Sequence, residues 1–205
     1  RDAGIVVNVN LEAIYAMRIL ILALEGFWDT GLTVTLDAFK LANGFAATPI
    51  GGTSPFDVSI VGVRKKVRSG QGFAIPVQPI TPDLKPDWVI VPALSTGRPE
   101  QLLPALERRD VRHAVEQLRA WYAEGARVAA SCIGTFLLAE TGLLDEGEAT
   151  TTWWLSPLFR QRYPNVRLDE TRMLVTSDRI VTAGAAMGHL DLALWFIRQA
   201  SPDLA

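Results

Sequence analysis

Cysteine is almost missing from this sequence. Cys132 is the single one in 205 residues, so no internal disulfide can form and nothing in the fold relies on an oxidising compartment. Histidine is nearly as scarce: His113 and His189 lie far apart, and no pair of ligand-type residues has zinc-site spacing, so neither a metal nor a cofactor is expected. Long apolar runs are lacking too. The stretch Ile19 to Leu24 falls far short of the roughly 20 residues a membrane-spanning helix requires, and no basic flank with an apolar signal core precedes it; a cytoplasmic location away from membranes is the expectation. No charge sign dominates. A formal net charge of -2 gives no pull toward a polyanion, so this stretch is not expected to grip DNA by itself. Internal repeats, low-complexity tracts and interior linkers are also missing.

What the sequence does contain is an ordinary globular mix, 49% hydrophobic and 20% charged, long enough for one substantial core. Residues 1–16 precede the first methionine and read as an extension or a cloning remnant; residues 17–205 read as one domain. Arg18 to Leu24 is a nearly continuous apolar run, as in a parallel strand covered on both faces. Leu32, Leu36, Phe39 and Leu41 then recur at near-helical spacing up to Gly44, a plausible C-cap. Further strands are expected at Phe56 to Val63, Asp87 to Pro92 and Arg127 to Ala130, and a ribbon at Lys65 to Phe73. A strand pair is expected around Ser177-Asp178. Helices are expected at Val111 to Tyr122, Gly134 to Glu140, Trp153 to Tyr163 and Ala185 to Gln199. Strands alternating with helices imply a three-layer α/β architecture, a mostly parallel central sheet with helices on both faces.

The densest information lies between Arg127 and Leu138, where a strand of small residues runs into Cys132 and straight on into a helix. A strand-to-helix elbow holds its central residue in a strained turn and needs small neighbours, which Ala130 and Gly134 supply. The helix N-terminus would aim free N–H groups at the sulfur, which is expected to lower the thiol pKa. Against this stands the plainer reading of Cys132 as a small buried core residue. The segment taken alone leaves both open.

The block Ser131 to Asp145, followed by Ala149-Thr-Thr-Thr-Trp-Trp154, resembles the ThiJ/PfpI-like domain at the front of many AraC-type transcription regulators. Leu36 to Asn43 looks like the first helix of that subfamily and Val181 to Leu194 like its closing segment. The resemblance implies a flavodoxin-like, class I glutamine amidotransferase-like fold and self-association. Enzymes of the superfamily place an acid near the start of the first helix and often a histidine after the elbow. Here the matching positions hold Gly31, and Ile133 and Trp153, none with acid–base chemistry. Asp29, two residues before Gly31, is the nearest substitute acid, though an acid at a helix start is more often a dipole partner. His189 and Asp191 faintly suggest a triad pair, but residues two apart on a helix face different sides.

The resemblance thus implies a ligand-sensing and dimerising domain of an AraC-type regulator, non-catalytic, with a small-molecule effector of unknown identity and a helix-turn-helix DNA-binding domain beyond residue 205. The expected ligand-contacting residues are Cys132, Ile133, Gly31, Asp29, Ser95 and Trp153. Phe27, Trp28, Trp154 and the loop Leu94 to Gly97 are further candidates for a pocket above the strand ends, where open α/β sheets bind ligands; packing is the plainer role for the tryptophans. A rival reading is a cysteine-dependent hydrolase, hydratase or lyase with Cys132 as nucleophile. A third is a dimerisation module without ligand. The basic cluster Arg64-Lys65-Lys66 with Arg68 reads as a solvated face.

Overall fold

The computed structural model describes residues 16–46 and 54–205; the expected N-terminal extension therefore lies, up to residue 15, outside the described residues. The chain opens with β1 (Met17–Leu22) and α1 (Asp29–Ala46), then β2 (Phe56–Gly62), the short strands β3 (Lys66–Arg68), β4 (Ala74–Pro76) and β5 (Gln78–Pro79), and β6 (Trp88–Val91). Helices α2 (Pro99–Leu106) and α3 (Arg109–Ala123) lead to β7 (Arg127–Ser131) and α4 (Gly134–Ala139). The last third holds β8 (Glu148–Ala149), α5 (Ser156–Arg162), β9 (Arg167–Leu168), β10 (Leu174–Ser177), β11 (Ile180–Ala183) and α6 (Gly188–Ala200). Seven strands form the main sheet in the order β10-β11-β7-β6-β1-β2-β5. All pair in parallel except β10, which pairs antiparallel with β11 at one edge.

The three layers follow from the side-chain alternation of the central strands. On β1, Leu20 and Leu22 join the core beneath α2, α3, α4 and α5, whereas Ile19 and Ile21 join a second core beneath α1 and α6. Both faces are covered, which is why β1 reads as an unbroken apolar run. At roughly 25 cal/mol per Å² of apolar surface removed from water, these two cores are the main favourable term holding the layers together. None of the described helices is long and apolar enough to cross a membrane.

Several elements differ from expectation, among them the ribbon expected at Lys65 to Phe73, whose second strand, β4, begins only at Ala74. Helix α1 runs through Gly44 to Ala46, because nothing at Gly44 demands a left-handed turn and the apolar spacing continues to Phe45. Helix α2 was not anticipated in so proline-rich a segment; Pro99 sits at its first turn, where a missing N–H costs nothing, and buried Leu102 and Leu106 anchor it. The helix expected from Trp153 to Tyr163 is a 3₁₀ turn at Trp153–Leu155 followed by α5. The closing helix begins at Gly188 rather than Ala185, since Ala185 adopts φ +60°, outside the right-handed region.

Candidate functional site

Strand β7 ends at Ser131, helix α4 begins at Gly134, and Cys132 turns the corner between them with φ +54°. For a residue carrying a Cβ this left-handed conformation is strained, and surrounding contacts must hold it there. They do so from two sides. The Cys132 N–H donates to the Ala183 carbonyl at the end of β11 at 2.7 Å, and the Thr151 hydroxyl donates to the Cys132 carbonyl at 2.8 Å. Gly134 is required by a close approach: a Cβ there would stand 2.5 Å from the Val91 carbonyl oxygen and 3.0 Å from that of Pro92. The elbow expected from the small residues is present.

The chemistry expected of it is not. Instead of a lowered pKa, the buried Cys132 thiol is pushed up to about 11, chiefly because burial disfavours the thiolate. The Ile133 N–H and the Thr152 hydroxyl pull the other way and do not offset it. The Thr152 contact is a weak one, since that hydroxyl falls short of a full hydrogen bond to any partner. Helix α4 has only six residues, so its dipole is small, and desolvation wins. No carboxylate or imidazole contributes to the shift of the thiol.

The sequence-selected residues surround this corner unequally. Gly31, buried in the first turn of α1, would place a Cβ 3.7 Å from the Cβ of Pro92, the same residue against which Gly134 closes. Gly31 and the elbow thus both lie close to Pro92. The Asp29 carboxylate accepts the Gln71 N–H at 3.1 Å and so ties α1 to the β3–β4 turn. Ser95 is exposed and its N–H donates to the Gly26 carbonyl at 2.7 Å. The Ile133 side chain packs into the core beneath α3 and α4. Trp153 is 67% exposed and stacks edge-on against Trp154, with ring centroids 5.7 Å apart, so it offers an aromatic face to solvent. Phe27 is buried and Trp28 half-buried, the latter's N–H donating to Ala93 at 2.8 Å.

His189 lies in the first turn of α6, buried, with neither ring nitrogen hydrogen-bonded. Burial holds its pKa below the ordinary imidazole value, against a smaller upward pull from Asp191. His113 is exposed on α3 and the 64–68 cluster is exposed apart from Val67. The threonines following the elbow were not singled out as functional, yet they build its second wall. The Thr150 N–H donates to the Thr182 hydroxyl at 2.9 Å, Thr151 clamps Cys132, and Thr152 faces the sulfur. Three consecutive threonines before two tryptophans were the available signal. Ser131, Thr135 and Thr152 all carry buried hydroxyls without a partner, so this corner is polar but uncharged.

Comparison with known proteins gives the family and the fold. Over 92 residues, 44% of this chain, the sequence is 34% identical to the HTH-type transcriptional regulator CdhR of Pseudomonas aeruginosa, and the match spans about a quarter (27%) of that relative's length. An AraC family transcriptional regulator from Pseudomonas putida superimposes with a TM-score of 0.71 at 19% identity, covering 90% of this chain and 92% of that one. A putative transcriptional regulator protein from Vibrio parahaemolyticus gives 0.72 at 16%, with the same coverage. Drosophila melanogaster DJ-1beta gives 0.69 at 17%, covering 91% of each chain. At these identities the structural matches speak for the fold. The family model described as DJ-1/PfpI matches residues 17–199, and the chain accordingly belongs to the DJ-1/PfpI family.

Proposed function

We propose that residues 17–205 are the ligand-sensing and dimerising domain of an AraC-type transcription regulator acting in the cytoplasm, and that the domain has no catalytic role. The observation that carries this reading is the Cys132 corner. The strained elbow is retained, while the thiol is pushed up to about 11 and no acid or imidazole contributes to its titration. A nucleophile needs an adjacent base or a lowered pKa, and this sulfur has neither. What persists is an uncharged polar corner, with Gly31 close to Pro92 and the exposed face of Trp153 following Thr152. Such a corner suits an effector held by hydrogen bonds and aromatic contact. Cys132, Ile133, Gly31, Asp29, Ser95 and Trp153 remain its proposed surroundings, with Ile133 contributing its backbone N–H rather than its side chain. The likeness to the P. aeruginosa regulator supports the regulatory half.

DNA contact in this proposal belongs to a separate helix-turn-helix domain following residue 205. Sequencing the gene past the Ala205 codon is expected to reveal paired helical segments of that kind. A stop codon at that point would remove the regulator reading and favour a stand-alone domain. The left-handed backbone of Cys132 is the one observation that favours a cysteine-dependent enzyme.

A further inference from the structure

A net charge of -2 is an average over an uneven chain. Residues 58–82 contain Arg64, Lys65, Lys66 and Arg68 and not one aspartate or glutamate, so the rest of the chain carries a net -6. The fold gathers these four cations on one small element. Arg64 and Lys65 lead into β3, Lys66 and Arg68 belong to it, and β4 returns beside it as a two-stranded ribbon outside the main sheet. All four are exposed, while Val67 between them turns inward and joins the core beneath α1 and α6. Alternation along the strand therefore puts Lys66 and Arg68 on one outward side.

Little within the chain neutralises them. Arg64 reaches the Glu25 carboxylate only at 4.0 Å, and among the described residues Lys65, Lys66 and Arg68 form no ion pair. The two acids that reach the ribbon, Glu25 and Asp29, accept its backbone N–H groups instead, those of Arg68 and Gln71, each at 3.1 Å. With the Gly26 N–H donating to the Arg68 carbonyl and the Gly70 N–H to the Phe27 carbonyl, both at 2.8 Å, these bonds fix the ribbon to the segment between β1 and α1. The cations thus stand on a backbone that is already held, and binding through them has little main chain to order.

The chemistry that fits such a surface is a row of phosphates. A protein–protein interface needs an apolar core inside its polar rim, and the ribbon exposes one large apolar side chain, Phe73. Phosphate contact needs only donors and cations within reach. A basic ribbon on an acidic body also admits a polyanion at the ribbon and repels it elsewhere. We propose that the β3–β4 ribbon is an auxiliary, sequence-independent contact to the phosphate backbone of duplex DNA, made once the separate DNA-binding domain of the proposed regulator has docked. At ordinary salt this contact alone is too weak to hold DNA, as the net charge implies; on a tethered domain it acts at an effective concentration of up to about millimolar. The inference rests on the regulator reading, yet the two fail separately. A stop codon after Ala205 would remove the regulator without altering the DNA affinity of this chain, and absence of that affinity would leave a regulator whose other domain alone touches DNA.

The test is fluorescence anisotropy of two labelled duplexes of unrelated sequence, titrated with the 205-residue chain between about 20 and 200 mM salt. Both duplexes are expected to bind alike at the low end. The logarithm of affinity should fall with that of salt at a slope of about -3, since each neutralised phosphate contributes about -0.9. Lys66→Gln should reduce the magnitude of that slope by about 1 for both duplexes, and Lys65→Glu/Lys66→Glu should abolish binding. Arg112→Gln, which removes an exposed cation on α3, should change neither affinity nor slope. Should the double reversal disturb the fold, Lys66→Gln decides, because it removes one charge and keeps the length of the side chain. Absence of binding at about 20 mM salt, or binding that the ribbon variants leave intact, would overturn the inference. So would labelled polyglutamate bound more tightly than DNA, which would point to an acidic protein as the partner.

Discussion

Replacing Gly134 by alanine is expected to destabilise the domain by about 3 kcal/mol, at the upper end of the ordinary cost of overpacking a core. The atoms an added methyl group would meet are the Val91 and Pro92 carbonyl oxygens, at 2.5 and 3.0 Å. Both belong to the backbone where β6 ends, and β6 is held on both sides by β1 and β7. No side chain can rotate to relieve the clash. Either β6 or α4 must move, and α4 carries the elbow. Gly44→Ala is the matching control. It adds the same methyl group inside α1, where nothing lies within 4 Å, and should gain up to about 1 kcal/mol from helix propensity. Chemical denaturation of the two variants should therefore shift midpoints in opposite directions. Equal and small shifts would mean that α4 can slide away from β6.

Phe136→Ala is expected to cost about 3–5 kcal/mol, as truncations of fully buried aromatic side chains do. Phe136 is fully buried on α4, with its ring centroid 5.0 Å from that of Phe159 and 6.0 Å from that of Tyr163, both in near-perpendicular packing. It joins α4 to α5, and its carbonyl accepts the Tyr163 hydroxyl at 3.3 Å. Removing the ring leaves a cavity between α4, the helix that follows the elbow, and α5. Beyond the lower midpoint, a second readout ties packing to the site: Cys132, now under a loosened cover, should react faster with a thiol reagent at neutral pH. A destabilised protein whose thiol stays as slow as before would show that α4 packing does not govern access to the sulfur.

Both variants show why some of this architecture could be read from residues and some could not. The strand at Arg18 to Leu24 was legible because burial on two faces leaves an unbroken apolar run, and the turn at Ser177-Asp178 because two short β-prone stretches flank it. The elbow was legible because only a small residue fits at 134. Helix α2 was hidden by Pro99 and Pro104, since a helix with proline in its first turn and interior is held by the burial of Leu102 and Leu106 more than by propensity. At the site, Gly31 and Cys132 were identified from the sequence, but their relation through Pro92 depends on how β6 and α1 meet. The direction of the thiol shift was misjudged for a similar reason. A dipole can be inferred from one strand–helix junction, whereas desolvation depends on how far residues brought from elsewhere in the fold bury the sulfur.

The measurement that bears most directly on this account is the titration of Cys132 in the folded protein, followed by the rate of alkylation from neutral pH to about 12. A sulfur governed by burial should show an inflection near 11, with little reaction at neutral pH. An inflection at or below the ordinary thiol value of about 8.5, with rapid alkylation at neutral pH, would mean that a base or dipole does activate the sulfur, and the non-catalytic sensor would have to give way to a cysteine-dependent enzyme.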